Sequence, residues 1–173
     1  RVAVMAGCGT NDTEHSMRAA AEMASRGADT LLVVTPYYNK PTQDGIVEHF
    51  RMIAGAGGLP VMAYDIPGRT GIPFATETLV ELAGHPNIRA VKDAKGDPWA
   101  ATKVMAATDL LWFSGDDAAN LHLLALGAVG VVSVVGHVAG DRYRAMVEAV
   151  DRGDLEQARR IHVDLVPVVE AIM

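Results

Sequence analysis

Cysteine is nearly absent from the chain: Cys8 is the only one in 173 residues, and aromatic residues make up just 5%. A single thiol excludes an intrachain disulfide and any structural zinc built on paired cysteines, and it suits a reducing, cytoplasmic setting. Basic residues are also few. Fifteen Lys and Arg face 21 Asp and Glu, a net charge of −6, and no basic cluster occurs. Neutralising a phosphate backbone takes grouped cations, so this balance argues against a nucleic-acid partner. Only residues 118–140 lack Asp, Glu, Lys and Arg over a stretch near a bilayer span in length. Gly127, Gly130, Gly136 and Gly140, with Asn120, His122 and His137, divide that stretch into an apolar helix and an apolar strand, and no membrane span is expected. The opening Arg1 to Gly7 reads as a strand without the charged and apolar regions of a targeting signal and without an initiator Met, so the start looks cut.

What is present is apolar residue, 50% of the total, enough to bury a core in one domain spanning residues 1–173. β-Branched runs recur, each closed by a polar or Gly/Pro cluster and followed by a helix-period stretch. Strands are predicted at Val2 to Ala6, Thr30 to Thr35, Pro60 to Asp65, Ile88 to Asp93, Leu111 to Ser114 and Gly130 to Val134. Helices are predicted at Thr13 to Ser25, Gln43 to Ala56, Thr76 to Ala83, Pro98 to Ala107, Asp117 to Leu126, Asp141 to Asp151 and Leu155 to Met173. Thr13, Thr42 and Asp97-Pro98 read as helix starts, and Gly27, Gly57-Gly58, Gly84 and Gly127 as left-handed stops.

Strands apolar on both faces, such as Leu31 to Val34, imply a parallel sheet covered by helices. Six βα units fit either a complete open, doubly wound sheet, which would make a flavodoxin-like binding domain, or about three quarters of a (β/α)8 barrel. An open sheet gathers its ligand groups at one switch point, whereas a barrel collects polar residues from many strand ends. Here the later strands end in Thr35 to Tyr38, Tyr64 to Pro67, Lys92-Asp93, Ser114 to Asp117 and Ser133, which favours the barrel.

Lys92 ends the strand Ile88 to Val91, whose Ile88 and Ala90 are expected to share its face. A desolvated lysine loses part of its charge and becomes an amine able to attack a ketone and form a Schiff base; a lysine that snorkels to the rim or pairs with Asp93 is the plainer reading. Tyr64 at the end of the preceding strand, and Tyr37 and Tyr38 after the one before it, offer phenols for proton transfer, or else rim and interface packing. Arg69, on a Pro-Gly turn, has the geometry to grip a carboxylate with two donors, or is a solvated loop residue.

In order along the chain, Ala6-Gly-Cys-Gly9, Thr35-Pro-Tyr-Tyr-Asn-Lys-Pro41, Tyr64-Asp-Ile-Pro-Gly-Arg-Thr-Gly71, Val91-Lys-Asp-Ala94, Ser114-Gly-Asp-Asp117 and Gly130-Val-Val-Ser133 resemble the dihydrodipicolinate synthase family of pyruvate-dependent Schiff-base lyases. The resemblance covers nearly the whole chain. It implies an α/β fold, a (β/α)8 TIM barrel present as about strands 3 to 8, with two βα units before Arg1 and the terminal helices after Met173 absent. It makes Lys92 the imine-forming lysine, Tyr64 the phenol beside it, and Tyr38 the tyrosine that reaches a neighbouring subunit's site. Tyr37 would belong to the dimer contact, Arg69 would bind the carboxylate of aspartate semialdehyde, Val132 would line the pocket with its carbonyl, and Gly115 would lie near the product. The implied substrates are pyruvate and L-aspartate semialdehyde, in lysine and diaminopimelate biosynthesis, with no metal or organic cofactor and a homotetramer built as a dimer of dimers. N-Acetylneuraminate lyase or a keto-deoxy-sugar-acid aldolase is the nearest alternative.

The family's Gly-Thr-Thr-Gly-Glu loop does not occur in these residues, so the isolated chain is expected to be inactive. Asn11 matches the lysine-sensitive pattern of the family, but His15 stands where that pattern has a glutamate. Gly7-Cys-Gly9 lacks the third glycine of a dinucleotide loop, and the histidines at 15, 49, 85, 122, 137 and 162 lack metal-ligand spacing. Asp116-Asp117 reads as a helix cap, and Met17, Met23, Met52 and Met105 as core.

Overall fold

The computed structural model describes residues 2–173; Arg1, which opens the stretch read as the first strand, lies outside them. In chain order the elements are β1 (Met5–Gly7), α1 (Thr13–Ser25), β2 (Thr30–Val34), α2 (Gln43–Gly57), β3 (Val61–Asp65), the single turn α3 (Pro67–Thr70) and α4 (Thr76–Ala83). They continue with β4 (Ile88–Asp93), α5 (Pro98–Ala107), β5 (Leu111–Ser114), a 3₁₀ turn (Asp117–Ala119), α6 (Asn120–Ala125), β6 (Gly130–Val131), α7 (Gly136–Asp151), α8 (Leu155–Asp164) and α9 (Val166–Ile172). Among the described residues no helix is long and apolar enough to cross a membrane.

The strands form one parallel sheet in the order β1-β2-β3-β4-β5-β6. That order decides between the two architectures. A doubly wound sheet reverses its order at a switch point and places helices on both faces. Here each strand lies beside the next in sequence, and the helices follow as one layer: α1 packs on α2, α2 on α4, α4 on α5, and α6 on α7. A sheet with consecutive order and a single helical layer is a segment of a barrel wall, and the open-sheet alternative is overturned.

The two faces differ. Leu31, Val33, Val61, Ala63, Ile88, Val91 and Trp112 join the helix-side core with Ile46, Phe50, Ile53, Leu82 and Val104. The alternate residues Leu32, Val34, Met62, Tyr64, Ala90, Lys92 and Phe113 fall on the opposite, inner face. A register shift separates these sets on β4: Val61 pairs with Ile88 but Met62 with Ala90, so Arg89 is an extra, exposed residue at a bulge. Ile88 therefore shares a face with Val61 in the helix-side core, not with Lys92 as the uninterrupted alternation predicted. Ala90 does share the face of Lys92.

Other boundaries differ for local reasons. β1 starts at Met5 because the Val4 N–H is taken by the Asp29 carboxylate at 2.8 Å. Asp12, not Thr13, caps α1, accepting the His15 N–H at 2.8 Å. β6 ends at Val131 because the Val134 and Val135 amides turn to Asp117 instead of a neighbouring strand, and α7 then begins early, at Gly136. The last helix is two helices, since Pro167 has no N–H to continue α8. Gly84 ends α4 in a right-handed conformation, and Met52 is exposed while Met17, Met23 and Met105 pack on the core.

Candidate active site

Parallel pairing sets Val34, Tyr64, Lys92, Phe113 and Gly130 in one row across the inner face near the carboxyl ends of the strands. Tyr64 and Lys92 are direct partners in that row. The Lys92 Nζ lies over the Tyr64 ring, 3.9 Å from its centroid, and the lysine is only 9% exposed. Burial lowers the Lys92 ammonium below the ordinary lysine range, opposed by the negative charge of Asp117. Burial likewise raises the Tyr64 phenol, with Arg69 pulling it down and Asp116 adding to the rise. Burial favours the amine form of Lys92 and the protonated form of Tyr64, an arrangement able to serve as a nucleophile beside a proton donor.

Gly115 follows β5 and holds the other side of Lys92. Its N–H donates to the Asp93 carbonyl at 2.7 Å, and a Cβ there would stand 2.7 Å from Lys92 Cγ and Cε. Arg69 comes from α3, where Thr70 Oγ1 donates to the Ile66 and Ile72 carbonyls and Gly71, at φ 80°, closes the turn. Among the described residues no carboxylate forms a salt bridge with Arg69. A cavity of about 920 Å³ opens over the Val34 and Tyr64 end of the row, and Tyr64, Arg69, Gly115, Tyr37, Tyr38 and Lys40 line it. Tyr38, at φ 73°, is 88% exposed and extends away from Lys92's shelter, whereas Tyr37 is less exposed. The Val132 N–H donates to the Ser114 carbonyl at 2.7 Å, which ties that residue to the end of β5, while Val134 lines the cavity.

The structure thus brings together Lys92, Tyr64 and Gly115, places Arg69, Tyr37 and Tyr38 on the rim, and leaves Val132 in the adjoining loop. Asp116 caps the 3₁₀ turn by accepting the Ala118 N–H at 3.0 Å. Asp117 does something the sequence reading missed: it is buried and joins two loops. The signal available was Ser133, a hydroxyl within an otherwise apolar run. A second missed feature lies behind the inner row, where Thr35, Asp65, Asp93 and Ser114 form a buried polar row on the helix side. Asp93 accepts from Trp112 Nε1 at 3.1 Å and the Lys95 N–H at 2.8 Å, and Asp65 from the Phe74 N–H at 3.3 Å. Asp93 therefore faces away from Lys92 and does not pair with it.

Among the described residues no cluster of three or more His, Cys, Asp or Glu converges as metal ligands would. Gly9 approaches β2 so closely that a Cβ would lie 2.5 Å from the Val34 nitrogen, so the Gly-Cys-Gly stretch serves strand packing. The Cys8 thiol is pushed up to about 11 by burial and is no nucleophile at neutral pH.

Consecutive strand order, one helical layer and a polar row at the strands' carboxyl ends define part of the wall of a (β/α)8 barrel, with the candidate site at the customary end. The chain belongs to the dihydrodipicolinate synthetase family, which residues 1–173 match throughout. It is 60% identical over 173 residues to the 4-hydroxy-tetrahydrodipicolinate synthase of Kineococcus radiotolerans and 58% over 168 residues to 4-hydroxy-tetrahydrodipicolinate synthase 2 of Streptomyces coelicolor, covering 100% and 97% of this chain. The chain spans 56% of the length of each of these relatives. Among solved structures, dihydrodipicolinate synthase from Cyanidioschyzon merolae with lysine bound matches at TM-score 0.95 and 47% identity, over 98% of this chain and 58% of that one. The Aquifex aeolicus dihydrodipicolinate synthase matches at TM-score 0.95 and 35% identity, over 98% and 59%.

Proposed function

We propose that this chain carries the Schiff-base site of a 4-hydroxy-tetrahydrodipicolinate synthase, a lyase of lysine and diaminopimelate biosynthesis, and supplies about strands 3 to 8 of its barrel. The observation that carries this reading is the desolvated Lys92 amine held 3.9 Å over the Tyr64 ring at the carboxyl end of a barrel strand. The Lys92 nitrogen attacks the pyruvate ketone, and loss of water gives a cationic imine. That cation acts as an electron sink, so a proton leaves the adjoining methyl group and an enamine forms. The enamine carbon attacks the aldehyde of L-aspartate semialdehyde, whose oxygen takes up a proton and remains as the 4-hydroxyl. The substrate amine then adds to the imine carbon and displaces Lys92, closing the ring and restoring the free lysine.

In this scheme Tyr64 moves protons to and from the carbinolamine oxygen, and Arg69, on the rim without a salt bridge among the described residues, binds the aldehyde's carboxylate. Gly115 gives Lys92 room, and Val132 lines the pocket through its backbone. The exposure of Tyr38 and its position on a strained loop suit a phenol that enters a neighbouring subunit's site, with Tyr37 at the contact, in a cytoplasmic homotetramer built as a dimer of dimers. No step calls on a metal or organic cofactor.

Borohydride reduction in the presence of pyruvate, applied to the full-length protein that carries this sequence, tests the scheme. Mass spectrometry should place a pyruvyl adduct on Lys92 and none on a Lys92→Arg variant. A wild-type protein without that adduct would end the Schiff-base reading, and one that forms it yet prefers sialic acid or a keto-deoxy-sugar acid would overturn the substrate assignment.

A further inference from the structure

Asp117 is 2% exposed, yet no cation forms a salt bridge with it among the described residues. Four donors satisfy it instead. Its Oδ1 accepts from Asn120 Nδ2 at 3.2 Å and from the Ser133 hydroxyl, and its Oδ2 accepts from the Val134 and Val135 amides at 3.0 and 3.1 Å. Ser133 Oγ in turn accepts the Gly136 N–H at 2.7 Å, so the chain of bonds runs from the turn after β5 to the first turn of α7. Burial pushes the carboxyl up, but the bonds from Ser133 and Val135 outweigh it, and Asp117 stays ionised below the usual carboxylate range.

Both loops that Asp117 joins border the site. The stretch before it contains Gly115, pressed against the Lys92 stem, and the stretch it captures contains Val132 and the cavity-lining Val134. Resting on the Schiff-base reading above, we propose that Asp117 is a positioning residue for that reaction. It clamps the β6–α7 loop to the end of β5, fixing the wall around Lys92, and it supplies the buried negative charge that supports the cationic imine. The carboxylate is well suited to both tasks, since its bonds are all to neutral donors and its charge remains uncompensated within the cluster.

The charged and titratable groups around this pair are few. Lys92 faces Tyr64 on β3; Asp117 has Tyr143 of α7 buried beside it. Arg69 and Asp116 act on Tyr64, His122 lies on α6, and α9, packed on the 3₁₀ turn, carries only the exposed Glu170. All are unchanged in the two variants that test the proposal.

In the full-length protein, pyruvate trapping on Lys92 is measured against pH for wild type, Asp117→Asn and Ser133→Ala, alongside kcat/KM with both substrates. Asp117→Asn removes the charge and replaces one of the two acceptor oxygens with an amide donor, so the four donors around it can no longer all be accepted. The pH midpoint of trapping should fall by about one pH unit, because the Lys92 cation loses its support, and kcat/KM should fall by about tenfold or more as the wall loosens. Ser133→Ala keeps the charge and removes one donor: kcat/KM should drop about fivefold, the scale of one hydrogen bond, with the midpoint in place. An unmoved midpoint in Asp117→Asn overturns the electrostatic role. Wild-type kcat/KM in Ser133→Ala overturns the clamp, and that arm stands even if Asp117→Asn does not fold. Variants that behave as wild type while wild type forms the adduct refute Asp117 alone; a wild type without adduct refutes the Schiff-base reading beneath it.

Discussion

Gly115→Ala is the most informative single perturbation of the proposed site. The added Cβ would sit 2.7 Å from both Cγ and Cε of Lys92 and 3.3 Å from the Asp93 carbonyl oxygen. Ordinary carbon–carbon contact lies at about 3.5 to 4.0 Å, so the lysine stem must withdraw by about 1 Å. Cγ is too near the backbone to swing clear alone, and the whole stem therefore turns, carrying Nζ off the Tyr64 ring. A misplacement of about 1 Å in a reacting group costs about 10²-fold in rate. The expected result is a pyruvate-trapping rate on Lys92 about 10²-fold below wild type, with a thermal midpoint close to wild type because Gly115 itself lines the cavity. Trapping at the wild-type rate with the fold intact would refute the claim that Gly115 sets the position of the amine.

Asp65, pushed up to about 7 by burial, with Asp93 adding to the rise and Lys95 and the Phe74 amide opposing it, binds its proton more tightly when folded. Its contribution is therefore fully present below about pH 4 and is lost as pH rises toward 7, on the order of 4 kcal/mol in all. Asp65→Asn should flatten that decline in urea unfolding measured from pH 4 to 8, and an unchanged slope would count against the buried assignment. His49, brought down to about 4 by burial, with Thr13 Oγ1 2.8 Å from its Nδ1, has the opposite sign. Stability should fall as pH drops from about 6.5 toward 4, and His49→Gln should remove this fall; a variant with the wild-type acid limb would show that protonation of His49 is not its cause. Trp112→Phe deletes the Nε1–H bond to Asp93 and should cost about 1–3 kcal/mol in the same assay at neutral pH; a loss below about 0.5 kcal/mol would mean the indole contributes packing alone.

The fold was largely legible because its signals are local: apolar runs of strand length separated by amphipathic stretches, with Thr42 and Asp97 capping α2 and α5 as their sequence contexts predict. Lys92, Tyr64, Arg69, Tyr37 and Tyr38 could be singled out because strand ends in a parallel barrel gather on one side, although their chemical roles rest on the proposal. What escaped was set by contacts between distant segments. Asp117 looked like a helix cap because its partners Ser133, Val134 and Val135 lie 16 or more residues away. The same bonds truncate β6, so one unrecognised carboxylate accounts for both the missed anchor and the overlong strand. Asp65 and Asp93 appeared as polar ends of strands, and only the sheet register shows them stacked behind the row of Tyr64 and Lys92.

The extra residue at Arg89 has a further consequence for how this site tolerates change. In a strict strand, every side chain's facing is dictated from the first paired residue onward, so the hydrophobic floor of the barrel and its reactive rim share one phase. The bulge resets that phase between Ile88 and Ala90. The lower end of β4 can follow the demands of the helix-side core while the upper end presents Lys92 to Tyr64, two halves of one strand answering to different neighbours. Substitutions or slippage near Ile88 can be absorbed at Arg89 before they reach the amine, whereas a residue inserted between Ala90 and Lys92 has no such buffer and would turn the lysine into the helical layer.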